Sequence, residues 1–152
     1  MDADQVLALY QSVTGNEFCT WNREYPGMHE ILADYESDDL FVIRKDTEII
    51  GAISIVPENE LDDLNFWTVK TGKVAEITRV AVAPEHQGRG LALKMVQEIE
   101  EILIDRGYKA VHLLAAVVNI PACHTYRKAG YHLLGECFMF GHRFCAFEKE
   151  LE

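Results

Sequence analysis

The stretch Ile77-Thr78-Arg79-Val80-Ala81-Val82-Ala83-Pro84-Glu85-His86-Gln87-Gly88-Arg89-Gly90-Leu91-Ala92 decides the fold. An apolar strand runs into a Gly/Arg turn, and a helix opens straight after it. Such a junction aims several backbone N–H groups at one spot, at the positive end of a helix dipole. It is an anion cradle, suited to a phosphate or pyrophosphate. Gly88 and Gly90 permit close backbone approach and unusual φ angles, and Arg89 adds a mobile positive charge. The plain alternative is a tight strand-to-helix turn with a purely structural role. The nucleotide-loop patterns G-x-x-x-x-G-K-S/T and G-x-G-x-x-G are both absent.

Downstream, residues 90–106 read as an amphipathic helix. Ala92, Met95, Val96, Ile99, Ile102 and Leu103 form its apolar stripe and Gly107 ends it. Glu98, Glu100, Glu101 and Asp105 look like its solvated face. Ala110–Val117 reads as a buried strand. A helix follows over about 121–129, with Pro121 in its first turn and Gly130 at its close. Tyr131–Phe140 and Arg143–Leu151 read as terminal strands hinged at Gly141-His142.

Upstream, residues 3–14 read as a helix with Val6, Leu9, Tyr10 and Val13 on one side. A short helix is expected over 27–36, with Ile31, Leu32 and Tyr35 apolar. Leu40–Arg44 and Glu48–Val56 are strands joined by Lys45-Asp46-Thr47. Gly51 inside the second of them suggests a bulge or a close backbone neighbour. The acidic stretch Pro57–Leu64 reads as a loop. Phe66–Val69 and Val74–Val82 are expected to pair as a hairpin around Lys70-Thr71-Gly72-Lys73. One strand–helix–strand crossover lies at 74–117. The pattern implies a single α/β domain over 1–152: a mixed, mostly antiparallel sheet of about six to seven strands, flanked by about four helices.

Bulk properties narrow the function. The 152 residues suit one core, and 49% are hydrophobic, which speaks against disorder. No apolar run reaches bilayer length, and Met1-Asp2-Ala3-Asp4 is acidic rather than signal-like. The expectation is a cytoplasmic protein without membrane contact. A net charge of −11 disfavours nucleic acid as a partner. It is compatible with a cationic substrate, although most of these charges serve solubility. Cys19, Cys123, Cys137 and Cys145 form no C-x-x-C pair and no zinc spacing, so reduced, mostly buried thiols and no metal are expected.

Two motifs carry a family resemblance. Gln87-x-x-Gly90-x-Ala92 resembles the acetyl-CoA pyrophosphate signature Q/R-x-x-G-x-G/A of the GNAT family of N-acetyltransferases. Asn119-Ile120-Pro121-Ala122-Cys123-His124-Thr125-Tyr126-Arg127-Lys128-Ala129-Gly130-Tyr131 is similar to the family's second signature, N-x-x-A-x-x-x-Y-x-x-x-G-F/Y. Ile49-Ile50-Gly51-Ala52-Ile53 also looks like the family's second strand. The resemblance covers roughly residues 40–150. It makes about 74–130 the acetyl-CoA-binding core and leaves the part up to about 39 as the substrate side. It implies the fold and the cosubstrate but no particular acceptor, because one fold hosts many functions.

Carried over residue by residue, the resemblance implies a pantetheine arm entering a gap between two splayed strands. The backbone of Val80 and Val82 would pair with that arm, and Ala81 between them belongs to the same cofactor site. Gln87, Gly88, Arg89, Gly90, Leu91 and Ala92 would hold the pyrophosphate. Asn119, with Ala122 on the same turn, would bond the pantetheine or position the helix; a simple helix cap is the structural reading of Asn119. Tyr126 matches the family's tyrosine facing the thioester sulfur, where a phenol can donate a proton to the departing thiolate. By periodicity alone it reads as a core tyrosine. Glu76 resembles the family's general base, since an amine must lose a proton before attack. Otherwise it is an outward-facing strand carboxylate, with ordered water as base. Trp21, Glu24 and Tyr25 fall where the family builds its acceptor pocket, or else pack the N-terminal helices.

Three neighbours of this region read differently. His112 alternates with apolar residues and reads as a satisfied strand histidine. Cys123 and His124 invite a thiol-nucleophile reading, but adjacent helical residues point in different directions. The expected function is therefore transfer of an acetyl group from acetyl-CoA to the amine of a small molecule or peptide, by direct attack in a ternary complex. The rivals are a noncatalytic acyl-CoA-binding sensor or interaction module on the same fold, and a nucleotide-binding domain. Monomer and homodimer both stay open.

Overall fold

The computed structural model describes residues 2–57, 61 and 64–152. The elements run α1 (Ala3–Val13), α2 (Met28–Glu36), β1 (Leu40–Lys45), β2 (Glu48–Val56), β3 (Val74–Val82), α3 (Leu91–Asp105), β4 (Ala110–Ala116), α4 (Ile120–Lys128), β5 (His132–Met139) and β6 (His142–Glu150), with a 3-10 turn at Pro84–His86. The six strands form one sheet in the order β1-β2-β3-β4-β6-β5. Every pairing is antiparallel except β3 with β4, the two ends of the α3 crossover. The expected α/β class, mixed sheet and four helices are all present. Among the described residues no helix is long and apolar enough to cross a membrane.

Helices cover both faces of the sheet. On one face α3 sets Met95, Val96, Ile99 and Leu103 against Ile53, Ile55, Ala75, Ile77, Val111 and Leu113, and α4 adds Cys123, Tyr126 and Ala129. Each such aliphatic burial contributes about 1.5–3 kcal/mol. On the other face α1 supplies Val6, Leu9 and Tyr10 and α2 supplies Ile31, against Ile50, Ala52, Ala81 and Ala83. Gly51 meets the first of the two alternatives set for it, a bulge, while its close neighbour is a side chain rather than backbone. The register with β1 skips Ile50, a bulge, and a Cβ on Gly51 would come within 3.0 Å of Met95 Sδ.

Four expectations need correction. Phe66–Val69 is not a strand. Both edges of β3 are taken at that level, by β2 on one side and β4 on the other. The segment is instead held by side chains: the N–H groups of Thr68 and Val69 donate to the Glu148 carboxylate at 3.1 and 3.0 Å. Glu100 is not solvated. It is buried, and Lys149 Nζ from β6 donates to its Oε1 at 2.8 Å. The terminal hairpin turns at Phe140-Gly141, one residue early, where both φ angles are positive (54° and 81°) and Met139 pairs with His142. In α2, Leu32 and Tyr35 are exposed, and the helix buries Asp34 beside Ile31. The expected acidic loop at Pro57–Leu64 lies largely outside the described residues.

Candidate active site

The chemistry concentrates where β3 and β4 part. They pair only from Val74, Ala75 and Glu76 to Ala110, Val111 and His112. Beyond Glu76 the strands separate, and β4 continues on β6 alone as far as Ala116. The gap opens into a cleft of about 1350 Å³. It reaches from the Phe18–Tyr25 loop, past β3, to the N-terminal ends of α3 and α4.

Backbone register aims β3 at this gap. Ala83 N–H donates to Ile50 C=O at 2.8 Å, and Ala81 and Val82 continue that register with β2. In an antiparallel ladder the hydrogen-bonding groups of successive residues alternate in direction. Those of Ala81 and Ala83 thus turn to β2, while those of Val80 and Val82 turn to the gap. The register then shifts between Ala52 and Ser54, so that β3 carries one extra residue. That residue is Arg79, in the left-handed region at φ 49°. The bulge also resets the side-chain alternation. Ala75 and Ile77 pack toward α3, and after the bulge Val80 and Val82 do so again. Glu76 and Thr78 consequently lie on the opposite face of the sheet, the one covered by α1 and α2.

The cradle follows at once. The Gln87 side chain donates to Val82 C=O at 2.9 Å and so ties the loop back to the strand. Gly88 and Gly90 have φ of 77° and 79°, and a Cβ added at either would meet nothing within 4 Å. Gly90 is the N-cap of α3 and brings no side chain to satisfy the first turn. Lys94 N–H makes the bond to Gly90 C=O at 3.0 Å. The N–H groups of Leu91, Ala92 and Leu93 precede it in the turn and have no acceptor within the helix. The sequence puts an open, glycine-lined concavity at a positive helix end, which suits a phosphorylated ligand.

Across the gap, α4 begins at a cap. Asn119 Oδ1 accepts from Ala122 N–H at 3.2 Å. One turn further, Tyr126 is buried against Tyr131 and Phe147, with ring centroids 5.8 and 5.9 Å away, yet it also lines the cleft. Burial, with the Cys123 thiol as a second contribution, pushes its phenol above the ordinary tyrosine range, so it stays protonated. Cys123 is buried and its Sγ lies 3.6 Å from Ala116 C=O, whereas His124 is exposed. Burial, chiefly, raises the Cys123 thiol to about 11. The pair is therefore no nucleophile and base. All four cysteines are free, with Cys123 and Cys145 buried and Cys19 and Cys137 half-buried.

The structure gathers most of the residues singled out in the sequence. Glu76, Val80, Ala81, Val82, Gln87, Gly88, Gly90, Leu91, Ala92, Asn119, Ala122 and Tyr126 line the cleft, as do Trp21 and Tyr25. Arg89 and Glu24 do not; both side chains are exposed. Trp21 serves packing as well, edge-on to Tyr10 at 5.4 Å. The cleft also recruits residues that the sequence did not flag. Arg79 and Leu61 line it, and so do His142 and Phe144 of β6. Among the described residues no group of three or more His, Cys, Asp or Glu side chains is arranged to hold a metal ion.

Comparison with known proteins gives this architecture its family. The chain matches the acetyltransferase (GNAT) family over residues 6–131, and it belongs to that family. It is 25% identical to N-acetyltransferase 8 of Rattus norvegicus over 115 residues, which are 74% of this chain and 49% of that protein. It is 25% identical to streptothricin acetyltransferase of Escherichia coli over 134 residues, 86% of this chain and 70% of that one. The chain thus spans about half the length of the first relative and somewhat over two thirds of the second. Among solved structures, a GNAT-family acetyltransferase from Streptococcus agalactiae matches 99% of this chain and 91% of its own, with a TM-score of 0.81 and 20% identity. The protein yncA from Salmonella typhimurium, solved with its cofactor acetyl-CoA, matches 99% of this chain and 89% of its own, with a TM-score of 0.77 and 17% identity.

Proposed function

We propose that this chain is an acetyl-CoA-dependent N-acetyltransferase that acts on a primary amine. The observation that carries this reading is the gap between β3 and β4. One side of it offers backbone groups of Val80 and Val82, and its end is the open cradle at Gly88–Ala92. The cradle fits a pyrophosphate, because it combines free N–H groups with glycines whose missing side chains leave space. When bound, acetyl-CoA supplies an activated thioester carbonyl.

The residues of this chain divide the remaining work by sheet face. Gln87, Gly88, Gly90, Leu91 and Ala92 bind the phosphates, and Asn119 with Ala122 fixes the start of α4 beside them. Arg89, exposed at the rim, contributes charge rather than shape. The N–H of Val80, turned into the gap, polarises the carbonyl. On the α1/α2 face Glu76 takes the proton that an ammonium acceptor must lose before it can attack. On the α3/α4 face Tyr126 holds a proton for the departing sulfur, and its buried phenol keeps that proton at neutral pH. Trp21 and Tyr25 wall the acceptor side, where an aromatic surface favours an ammonium group. Acid and base thus stand on opposite sides of the plane that the two substrates share. The region up to residue 39 supplies the acceptor wall, and residues 74–130 supply the cosubstrate site.

The test is release of free CoA thiol from acetyl-CoA over a panel of small-molecule and peptide amines. Amine-dependent release by the purified chain is the expected result. Tight acetyl-CoA binding with no release on any amine would favour the noncatalytic acyl-CoA sensor instead.

A further inference from the structure

The bulge residue of β3 makes an arrangement that the proposed chemistry does not use. Arg79 Nε and Nη2 donate to the two carboxylate oxygens of Asp34 at 3.0 and 2.9 Å, a bidentate fork reaching from β3 to α2. Both side chains are close to nine-tenths buried, at 12% and 10% exposure. The third arm, Nη1, donates to the Tyr25 hydroxyl at 3.2 Å. Tyr25 is 41% exposed and lines the cleft on the acceptor side. The backbone of Arg79 meanwhile holds φ at 49°, and the next residue is Val80, whose hydrogen-bonding groups turn to the gap.

One residue therefore does three things. It is anchored to α2, it fixes an aromatic wall of the acceptor side, and its own backbone is the bulge that re-aims β3. A non-glycine residue in the left-handed region is unfavourable and persists where its surroundings hold it. The Asp34 carboxylate is the buried partner that ties this one to α2. A lysine could keep the charge but could not span both carboxylate oxygens and the phenol together.

We propose that Arg79 is a positioning residue that couples the seating of the amine at Tyr25 to the backbone geometry of Val80. It acts through Tyr25 and through the bulge, without contact to the reacting atoms. The proposal rests on the acetyltransferase reading above. It predicts two separable effects. Loss of the Nη1 contact loosens the acceptor wall and reads in KM for the amine. Loss of the Asp34 fork loosens the bulge and reads in kcat. Neither alters the phosphate cradle.

The experiment is steady-state kinetics on the full chain with its best amine, for wild type, Tyr25→Phe, Arg79→Lys and the double variant. Acetyl-CoA affinity is measured by calorimetry alongside. Tyr25→Phe removes one hydroxyl from a half-exposed ring, so folding is not at issue. Its KM for the amine should rise about fivefold, the weight of one ordinary hydrogen bond, with kcat unchanged. Arg79→Lys should raise KM similarly and lower kcat about tenfold or more, with acetyl-CoA affinity kept. In the double variant the KM effect should be no larger than in Arg79→Lys alone, because both changes cut the same link. A wild type that transfers acetyl groups, together with an unchanged amine KM in Tyr25→Phe and Arg79→Lys, would overturn the proposal and leave the acetyltransferase reading intact. So would effects that multiply in the double variant. A wild type that transfers to no amine would remove that reading, and this proposal with it.

Discussion

His112 Nε2 and Glu148 Oε2 lie 2.8 Å apart in the core, joining β4 to β6 beneath the 64–73 segment. The carboxylate accepts three more donors: the N–H and hydroxyl of Thr68 and the N–H of Val69. Trp67 stacks on the His112 ring at 3.9 Å, and its indole N–H donates to Leu61 C=O at 2.6 Å. A segment without strand pairing is thus held by one buried acid, and it carries Leu61 to the wall of the cleft.

This acid sets a pH dependence. Burial alone would raise the pKa of Glu148, but its bonds from Thr68, Val69 and His112 prevail and lower it below the usual 4.5. A carboxyl depressed on folding contributes stability above its unfolded pKa, and that stability is lost as pH falls through the folded value. Thermal melting of wild type should therefore weaken below about pH 4.5, the ordinary range for a glutamate. Glu148→Gln should be less stable near neutrality by about 2 kcal/mol, the scale of hydrogen bonds to a charged acceptor. The difference between the two proteins should shrink as the pH is lowered. Equal Tm values at pH 7 would show that the anchor contributes nothing.

Tyr126→Phe removes one hydroxyl from a ring otherwise held by Tyr131 and Phe147. Packing and acetyl-CoA affinity should persist. The kcat should fall by about 10²-fold or more, the usual scale of a general acid. Since the phenol is raised above its ordinary range, the wild-type rate should show no loss from this group as pH rises through 9. An unchanged kcat would assign Tyr126 to the core alone.

Much of this was readable from the chain, and the exceptions share a cause. The apolar stripe of α3, the Gly90 turn and the Asn119 cap are local, so spacing revealed them. Glu100 sits on the same helix, but its partner Lys149 comes from the last strand, and helical periodicity says nothing of that. Phe66–Val69 has strand-like residues, yet tertiary competition for the edges of β3 overrode the local preference. Asp34 and Arg79 are 45 residues apart, and the bulge that joins them to the site appears only in the register of β2 with β3. The lining of the cleft was half legible. Trp21 and Tyr25 were pointed out by the family resemblance, whereas Phe144 belongs to an ordinary strand pattern that only the sheet order carries to the cleft.

Glu76→Gln keeps the shape of the proposed base and removes its charge. The wild-type kcat/KM for the amine should rise with pH through an ionisation that the variant lacks or shifts. At pH 7 the variant should be slower by about 10²-fold, as for loss of a positioned base. Acetyl-CoA affinity should be retained, because Glu76 lies on the α1/α2 face, away from the cradle. Superimposable pH–rate profiles would exclude this carboxylate as the base.

The central claim is that the turn Gln87–Ala92 is a pyrophosphate site, and calorimetric titration of acetyl-CoA into wild type and Gly90→Asp tests it most directly. Position 90 has space for a side chain, and aspartate tolerates a positive φ better than most residues, so the variant should fold with a loss of about 1–2 kcal/mol. Its carboxylate would stand at the N-terminus of α3, where the phosphates must sit. Wild type should bind one acetyl-CoA per chain, and the folded variant should bind at least about 10²-fold more weakly, the cost of like charges meeting at close range. Equal affinity in the two proteins would contradict the assignment of the cradle.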